Sequence, residues 1–197
     1  MRWLVGMLGI GFVFNGPDAL ALPADKPLHQ MVQRTWQSEQ GLPQSTILAL
    51  AQDKAGFLWL GTQEGLVRFD GADFKVWNRA NVPELTSNKI NALEFSRDGA
   101  LWIGTYDGLN RFDGHTFTQY NQKAGLGKGR IWDILEDATG NIWVGSDGGG
   151  LTKINPAGNL QRFDSEQGLT NSRVTALVLR PEGGLYVGTY GGGVFIF

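Results

Sequence analysis

DKAGFLWLGTQEGLVRFDG occupies residues 53–71, and SRDGALWIGTYDGLNRFDG occupies residues 96–114. Two weaker copies follow, DATGNIWVGSDGGGLTKIN at 137–155 and RPEGGLYVGTYGGGVFIF at 180–197. Their aromatic anchors are Trp59, Trp102, Trp143 and Tyr186, spaced by 43, 41 and 43 residues. A period of about 40–45 residues is the mark of four-stranded propeller blades, each of which has two apolar faces and must stack on its neighbours to bury them.

Strand signals can be read outward from the first copy. Ile47 to Gln52 (ILALAQ) is short and apolar, as expected of a strand packed on both faces. Phe57 to Thr62, Leu66 to Asp70 and Phe74 to Asn78 complete a four-stranded unit. The glycines that follow Asp70 and Asp113 supply the positive φ of a tight hairpin. SEQGL stands at 38–42 and again at 165–169, three repeat units apart, so it marks one corner of two different repeats. MVQRTWQSEQGL (31–42) parallels LQRFDSEQGL (160–169), which predicts an orphan outer strand over 31–36 with no inner strands before it. In closed propellers such a strand pairs with the last blade and removes the free sheet edge.

The expected fold is therefore an all-β propeller of four-stranded antiparallel blades at 44–78, 88–120 and 130–164, with an incomplete blade at 173–197. Two architectures fit this pattern. The strand at 31–36 either completes the last blade of a four-bladed ring, or the chain is an open arc of a larger, seven-bladed propeller. The ending VFIF is an uncapped apolar strand, and the arc, an amino-terminal fragment, is the reading taken.

Composition excludes several functions. Of 197 residues 42% are apolar and 18% charged, with 29 glycines and seven tryptophans, which suits strands alternating with tight turns. A net charge of −2 offers no basic surface for nucleic acid. With no cysteine there is no disulfide framework, thiolate metal site or cysteine nucleophile. His29 and His115 lack metal-ligand spacing, and no cofactor is called for. Arg2, the apolar run WLVGMLGIGFVF (3–14) and the small residues Ala19-Leu20-Ala21 read as a signal peptide over 1–21, followed by a linker at 22–30. Twelve apolar residues are too few to span a bilayer comfortably. The mature chain is expected in the periplasm or outside the cell, attached to a membrane only through an uncleaved signal or a segment beyond this chain.

GFLWLGTQEGLVRFDG and GALWIGTYDGLNRFDG resemble the two-component regulator propeller repeats, and the resemblance extends over residues 31–197. The third copy departs at LTKINPAG; the fourth has Tyr186 for tryptophan and lacks R-F-D-G. The resemblance implies the extracytoplasmic sensor of a receptor whose later segments are an immunoglobulin-like domain, a transmembrane helix and a histidine kinase or diguanylate cyclase. No stretch of the 197 residues resembles those segments, so the expected part is the sensing input, not an enzyme.

Trp59, Trp102 and Trp143 suggest sugar stacking, but the same mid-strand place in every copy points to core between blades. Asp70 and Asp113 sit in F-D-G, where the carboxylate caps the turn. Gly148-Gly149-Gly150 leads into a strand, without the helix N-terminus that would hold a phosphate. The loop face is more informative. Before the inner strands stand Thr46, Lys89, Arg130 and Arg173, and the turns after the second strands carry Glu64, Asp107 and Asp147 with Tyr106 and Tyr190 beside them. Such a ring suits a small polar or glycan-like ligand. The plainer alternative pairs each cation with a carboxylate at the surface, worth about 0–1 kcal/mol per pair. Asp133 replaces alanine in the column Ala49, Ala92, Asp133, Ala176, and must be bonded to a neighbouring blade or line the channel. The rival functions are a secreted propeller hydrolase or lyase, and a protein–protein scaffold that self-associates through exposed strand edges.

Overall fold

The 40-residue rhythm folds as four antiparallel sheets in chain order. The structure, a computed structural model, describes residues 34–197. The first sheet holds β1 (Ile47–Gln52), β2 (Leu58–Thr62), β3 (Leu66–Phe69) and β4 (Phe74–Trp77). The second holds β5 (Ile90–Phe95), β6 (Leu101–Thr105), β7 (Leu109–Phe112) and β8 (Phe117–Tyr120). The third holds β9 (Ile131–Glu136), β10 (Ile142–Ser146), β11 (Gly150–Ile154) and β12 (Leu160–Phe163). The last has three strands, β13 (Val174–Leu179), β14 (Leu185–Thr189) and β15 (Gly193–Ile196).

The compact unit runs from Trp36 to Phe197. The expected signal peptide, the linker and residues 31–33 of the expected outer strand lie outside the described residues. Residues 34–36 lie in no strand. Trp36 instead meets Phe69 edge-on, with ring centroids 4.9 Å apart. Phe163 of the third sheet meets Phe197 of the fourth in the same way at 5.7 Å, so Trp36 stands to the first sheet as an outer strand stands to the next blade.

Stacking between sheets makes the core. β1 lies beside β5, β5 beside β9 and β9 beside β13, so the first strand of each unit is innermost. Trp59, Leu66, Ile90, Ile103 and Phe112 fill the first interface. Trp102, Leu109, Ile131, Ile134 and Val144 fill the second. Leu151, Val174, Leu177 and Val187 fill the third, with Trp143 packed against them. The three tryptophans are therefore core between blades, and burying each removes a large apolar area from water.

The glycine of L-W-I-G-T has a steric reason. A Cβ at Gly61 would lie 2.9 Å from Ile90 Cγ2, one at Gly104 2.7 Å from Ile131 Cγ2, and one at Gly145 2.7 Å from Val174 Cγ1. The next blade's first β-branched residue thus occupies the space of the missing side chain.

SEQGL folds as one turn of 3-10 helix over Ser38–Gln40 and again over Ser165–Gln167, ended by Gly41 and Gly168 in the left-handed conformation. The glycine reverses the chain so that the following leucine is buried, Leu42 in the first case and Leu169 in the second. Leu85 and Leu126 are buried at the equivalent places before the second and third sheets.

The arc has two open ends. Leu66, Leu109 and Leu151 on the third strands are all 0% exposed, whereas their counterpart Val194 is 69% exposed. On the other flank Leu50 is 64% exposed, while Ile134 and Leu177 in its column are buried. Among the described residues no packing like that of β1 on β5 joins β13 to β1.

Candidate functional site

Every innermost strand carries a β-bulge near its start. The register slips between Ile47 and Ala49, Ile90 and Ala92, Ile131 and Asp133, and Val174 and Ala176. The extra residues are Leu48, Asn91, Trp132 and Thr175, and a bulge re-aims the side chain it inserts. Three of them, Leu48, Asn91 and Trp132, line one cavity of about 440 Å³ at the loop face, together with Gln63, Lys89, Tyr106 and Arg130. Neither Asn91 nor Trp132 stands out in the sequence as a site residue. The available signal was the column Leu, Asn, Trp, Thr, which varies inside strands that otherwise repeat.

Backbone hydrogen bonds hold the cations at this mouth. The Tyr106 N–H donates to the Lys89 carbonyl at 3.1 Å, Asp147 to Arg130 at 2.8 Å, and Tyr190 to Arg173 at 2.9 Å. In the second, third and fourth sheets the turn after the second strand is therefore tied to the residue just before its own blade's innermost strand. The side chains of Arg130 and Arg173 reach back to the turn of the preceding blade.

What they find there differs. Arg173 Nε donates to Asp147 Oδ1 at 2.8 Å, and its guanidinium lies 4.2 Å from the Tyr190 ring. Arg130 has Tyr106 at the corresponding place. Its guanidinium lies 4.2 Å from the Tyr106 ring and 4.1 Å from the Trp132 ring, and Lys89 Nζ lies 4.9 Å from the Tyr106 ring. Among the described residues neither Lys89 nor Arg130 has a carboxylate partner. Among the described residues two buried side-chain atoms lack a hydrogen-bond partner, Asn91 Nδ2 and Arg130 Nε, and both belong to residues lining this cavity. A buried donor left unpaired costs about 1–3 kcal/mol.

The charged and aromatic candidates of the loop-face ring thus separate into groups. Lys89, Tyr106 and Arg130 come together at the cavity, and Asp147, Arg173 and Tyr190 form a second cluster one blade further on. Glu64 and Asp107 sit on exposed turns outside the cavity lining, their backbone N–H groups donating to Thr62 and Thr105 hydroxyls. Surface pairing of cation with carboxylate occurs only at Arg173 and Asp147 among these residues.

Asp133 resolves to the neighbouring-blade alternative. Its Oδ2 accepts the Leu177 N–H of the fourth sheet at 2.7 Å, and its Oδ1 accepts the Ile134 N–H at 2.9 Å. Burial pushes the carboxyl above its ordinary range, against the pull of those two N–H groups. In an ideal strand Arg130, three residues before Asp133, faces the opposite side; the bulge at Trp132 breaks that alternation.

A wider cleft of about 700 Å³ opens between the outer parts of the first two sheets, lined by Trp59, Arg68, Trp77, Phe112 and His115. Its walls are stacked aromatics, Trp59 on Trp77 at 5.2 Å and Phe112 on Phe117 at 4.4 Å. No unpartnered buried polar side-chain atom lies there among the described residues.

Comparison with known proteins follows the repeat. A 47-residue stretch, 24% of the chain, is 49% identical to Histidine kinase P4 of Formosa agariphila and spans 3% of that protein. The crystal structure of the extracellular domain of a protein described as a hybrid two component system of B. thetaiotaomicron superposes with a TM-score of 0.76 at 26% identity, over 83% of this chain and 25% of that one. Virginiamycin B lyase from Staphylococcus aureus shares the fold at 15% identity with a TM-score of 0.59, over 80% of this chain and 57% of that one. The chain therefore spans a small part of the kinase and about a quarter of the sensor domain. The family model described as Two component regulator propeller matches residues 41–64, 84–107 and 125–148, which begin at the corner glycine or just before the buried leucine and end after the second strand of each of the first three sheets. Those three stretches are similar to the repeat of the two-component regulator propeller family.

Proposed function

We propose that the chain is the extracytoplasmic, ligand-sensing input of a two-component or cyclic-di-GMP signalling receptor, and that a small polar or glycan-like ligand binds in the loop-face cavity. The observation that carries the reading is the convergence of Lys89, Arg130 and Asn91 on one cavity with no carboxylate in its lining. The similarity to a histidine kinase and to an extracellular sensor domain supports the signalling context and a place outside the cytoplasm. No helix of the described residues is long and apolar enough to cross a membrane. Binding would favour one of two receptor arrangements by its differential affinity for them.

A hydrolase or lyase reading has less support, because the cavity lining holds no acid–base pair and Asp133 is engaged by Leu177. Thermal-shift and calorimetric titration of the chain with neutral sugars, oligosaccharides and small organic acids tests the sensor reading. Stabilisation that disappears in Trp132→Ala supports it, and silence toward every compound overturns it.

A further inference from the structure

Two residues of the cavity lining each carry a buried donor that is unpartnered among the described residues: Asn91 Nδ2 and Arg130 Nε. Lys89 adds a third donor and a second positive charge, and the lining contains no carboxylate to neutralise either cation. What the site lacks is therefore an acceptor, and charge makes that acceptor an anion.

The surroundings of Arg130 narrow the ligand further. The Tyr106 and Trp132 rings lie 4.2 and 4.1 Å from the Arg130 guanidinium. A guanidinium packed against aromatic rings keeps its N–H edge for bonding a ligand. A guanidinium edge offers two parallel N–H groups, which match the two oxygens of a carboxylate lying in the same plane. The neighbouring blade shows the same motif satisfied from within: Arg173 lies against Tyr190 at 4.2 Å and its Nε bonds the Asp147 carboxylate at 2.8 Å. At Arg130 the chain offers Tyr106 where the next blade offers Asp147. An external carboxylate at Arg130 would reproduce the arrangement that the protein builds for itself one blade along.

We infer that the loop-face cavity selects a carboxylate-bearing small molecule, held edge-on by Arg130, with the Asn91 amide and the Lys89 ammonium as the remaining donors. The inference rests on the proposed sensor reading and specifies its ligand. The aromatic rings serve to orient Arg130 and are not free sugar-stacking platforms on the sides it covers. A cavity of about 440 Å³ takes one compact acid or the acidic end of a longer chain.

Matched pairs test it by calorimetry at low salt on the full chain: glucuronate against glucose, gluconate against sorbitol, benzoate against benzyl alcohol. Each acid that fits is expected to bind at least 30-fold more tightly than its neutral partner. Arg130→Ala should abolish the preference, and Arg130→Lys, which keeps the charge but not the fork, should weaken acid binding about tenfold. Asn91→Asp supplies an internal carboxylate and is expected to raise the melting temperature while eliminating acid binding, so loss of binding is not mistaken for unfolding. A tetragalacturonate titration distinguishes the two sources: tighter binding than the free acid indicates a chain end, and weaker binding a free acid. Neutral sugars binding as well as acids, in a Trp132-dependent way, would overturn the carboxylate assignment and leave the sensor reading standing; silence of both classes would overturn both.

Discussion

Asp137 shows how one side chain organises a blade. Its carboxylate accepts the Trp143 indole N–H at 2.8 Å, the Asn141 backbone N–H at 3.0 Å and the Thr139 hydroxyl at 2.8 Å. Asp53 does the same for Trp59 in the first blade, at 2.9 Å. The fourth blade has Arg180 in this place and Tyr186 for tryptophan, and the pair changes to a cation over a ring at 5.4 Å. Asp137→Ala should therefore cost about 2–3 kcal/mol, a drop of roughly 5–10 °C in melting temperature by differential scanning calorimetry. Acid response follows from the same group. Burial opposes ionisation of Asp137, but the bonds from Asn141, Trp143 and Thr139 outweigh it and hold its carboxyl well below the ordinary range. Asp98, bonded by Ser96, and Asp113, bonded by the Thr116 N–H, are both lowered to about 2. Groups lowered on folding stabilise the native state above the unfolded value near 4, and that stability is lost as pH falls toward 2. Glu94 runs the other way: burial, with the charges of Asp133 and Glu136, raises its pKa, so its contribution declines as pH rises above its unfolded value. Glu94→Gln should raise the melting temperature at pH 7 and flatten the profile above the unfolded value of Glu94. An unchanged profile would show that Glu94 is not strained in the native state.

At the scale of the element, the glycine of L-W-I-G-T and the bulge of the innermost strand are the two devices that shape a blade. Gly104→Ala forces a methyl against Ile131 and Ala92, where a Cβ would lie 2.7–3.0 Å from existing atoms. Overpacking of this kind costs about 1–3 kcal/mol. Gly188 occupies the same place in the last blade, but the nearest atom to its Cβ is 3.4 Å away, on Ala176 of its own sheet. Gly188→Ala should thus shift denaturant-induced unfolding by less than about 0.5 kcal/mol. Equal effects at the two positions would contradict the interlocking described between successive blades. The bulge has the opposite sort of consequence. It brings Asn91 and Trp132 to the mouth, and no alternation rule applied to a regular strand places them there.

For the whole molecule, the decisive feature is that stacking stops at both ends of the arc. Val194 and Ile196 are exposed on the last sheet, and Leu50 and Leu58 on the first. Exposed apolar faces of this extent mark sites of association. The chain studied alone is expected to associate or to bind a hydrophobic dye, and the double substitution Val194→Lys with Ile196→Lys should reduce this without lowering stability. Leu109→Ala, at a counterpart of Val194 that is fully covered, should cost about 2–5 kcal/mol in denaturant titration. A monomeric chain without dye binding in sedimentation and fluorescence would mean that the two faces are covered in solution.

The repeat period, the strand positions, the turn aspartates and the core role of the tryptophans were all legible in the chain, because each depends on spacing and on side-chain types within about 40 residues. Lys89, Tyr106 and Arg130 were legible as a set for the same reason: one column per blade, carried to one face by repetition. Tertiary structure decided the rest. Whether an arginine meets Asp147 or a tyrosine depends on which turn the preceding blade places beside it, and the fate of Asp133 depends on a backbone N–H in the next sheet. Packing between blades settles those contacts, and a sequence records it only as the residues that happen to be brought together.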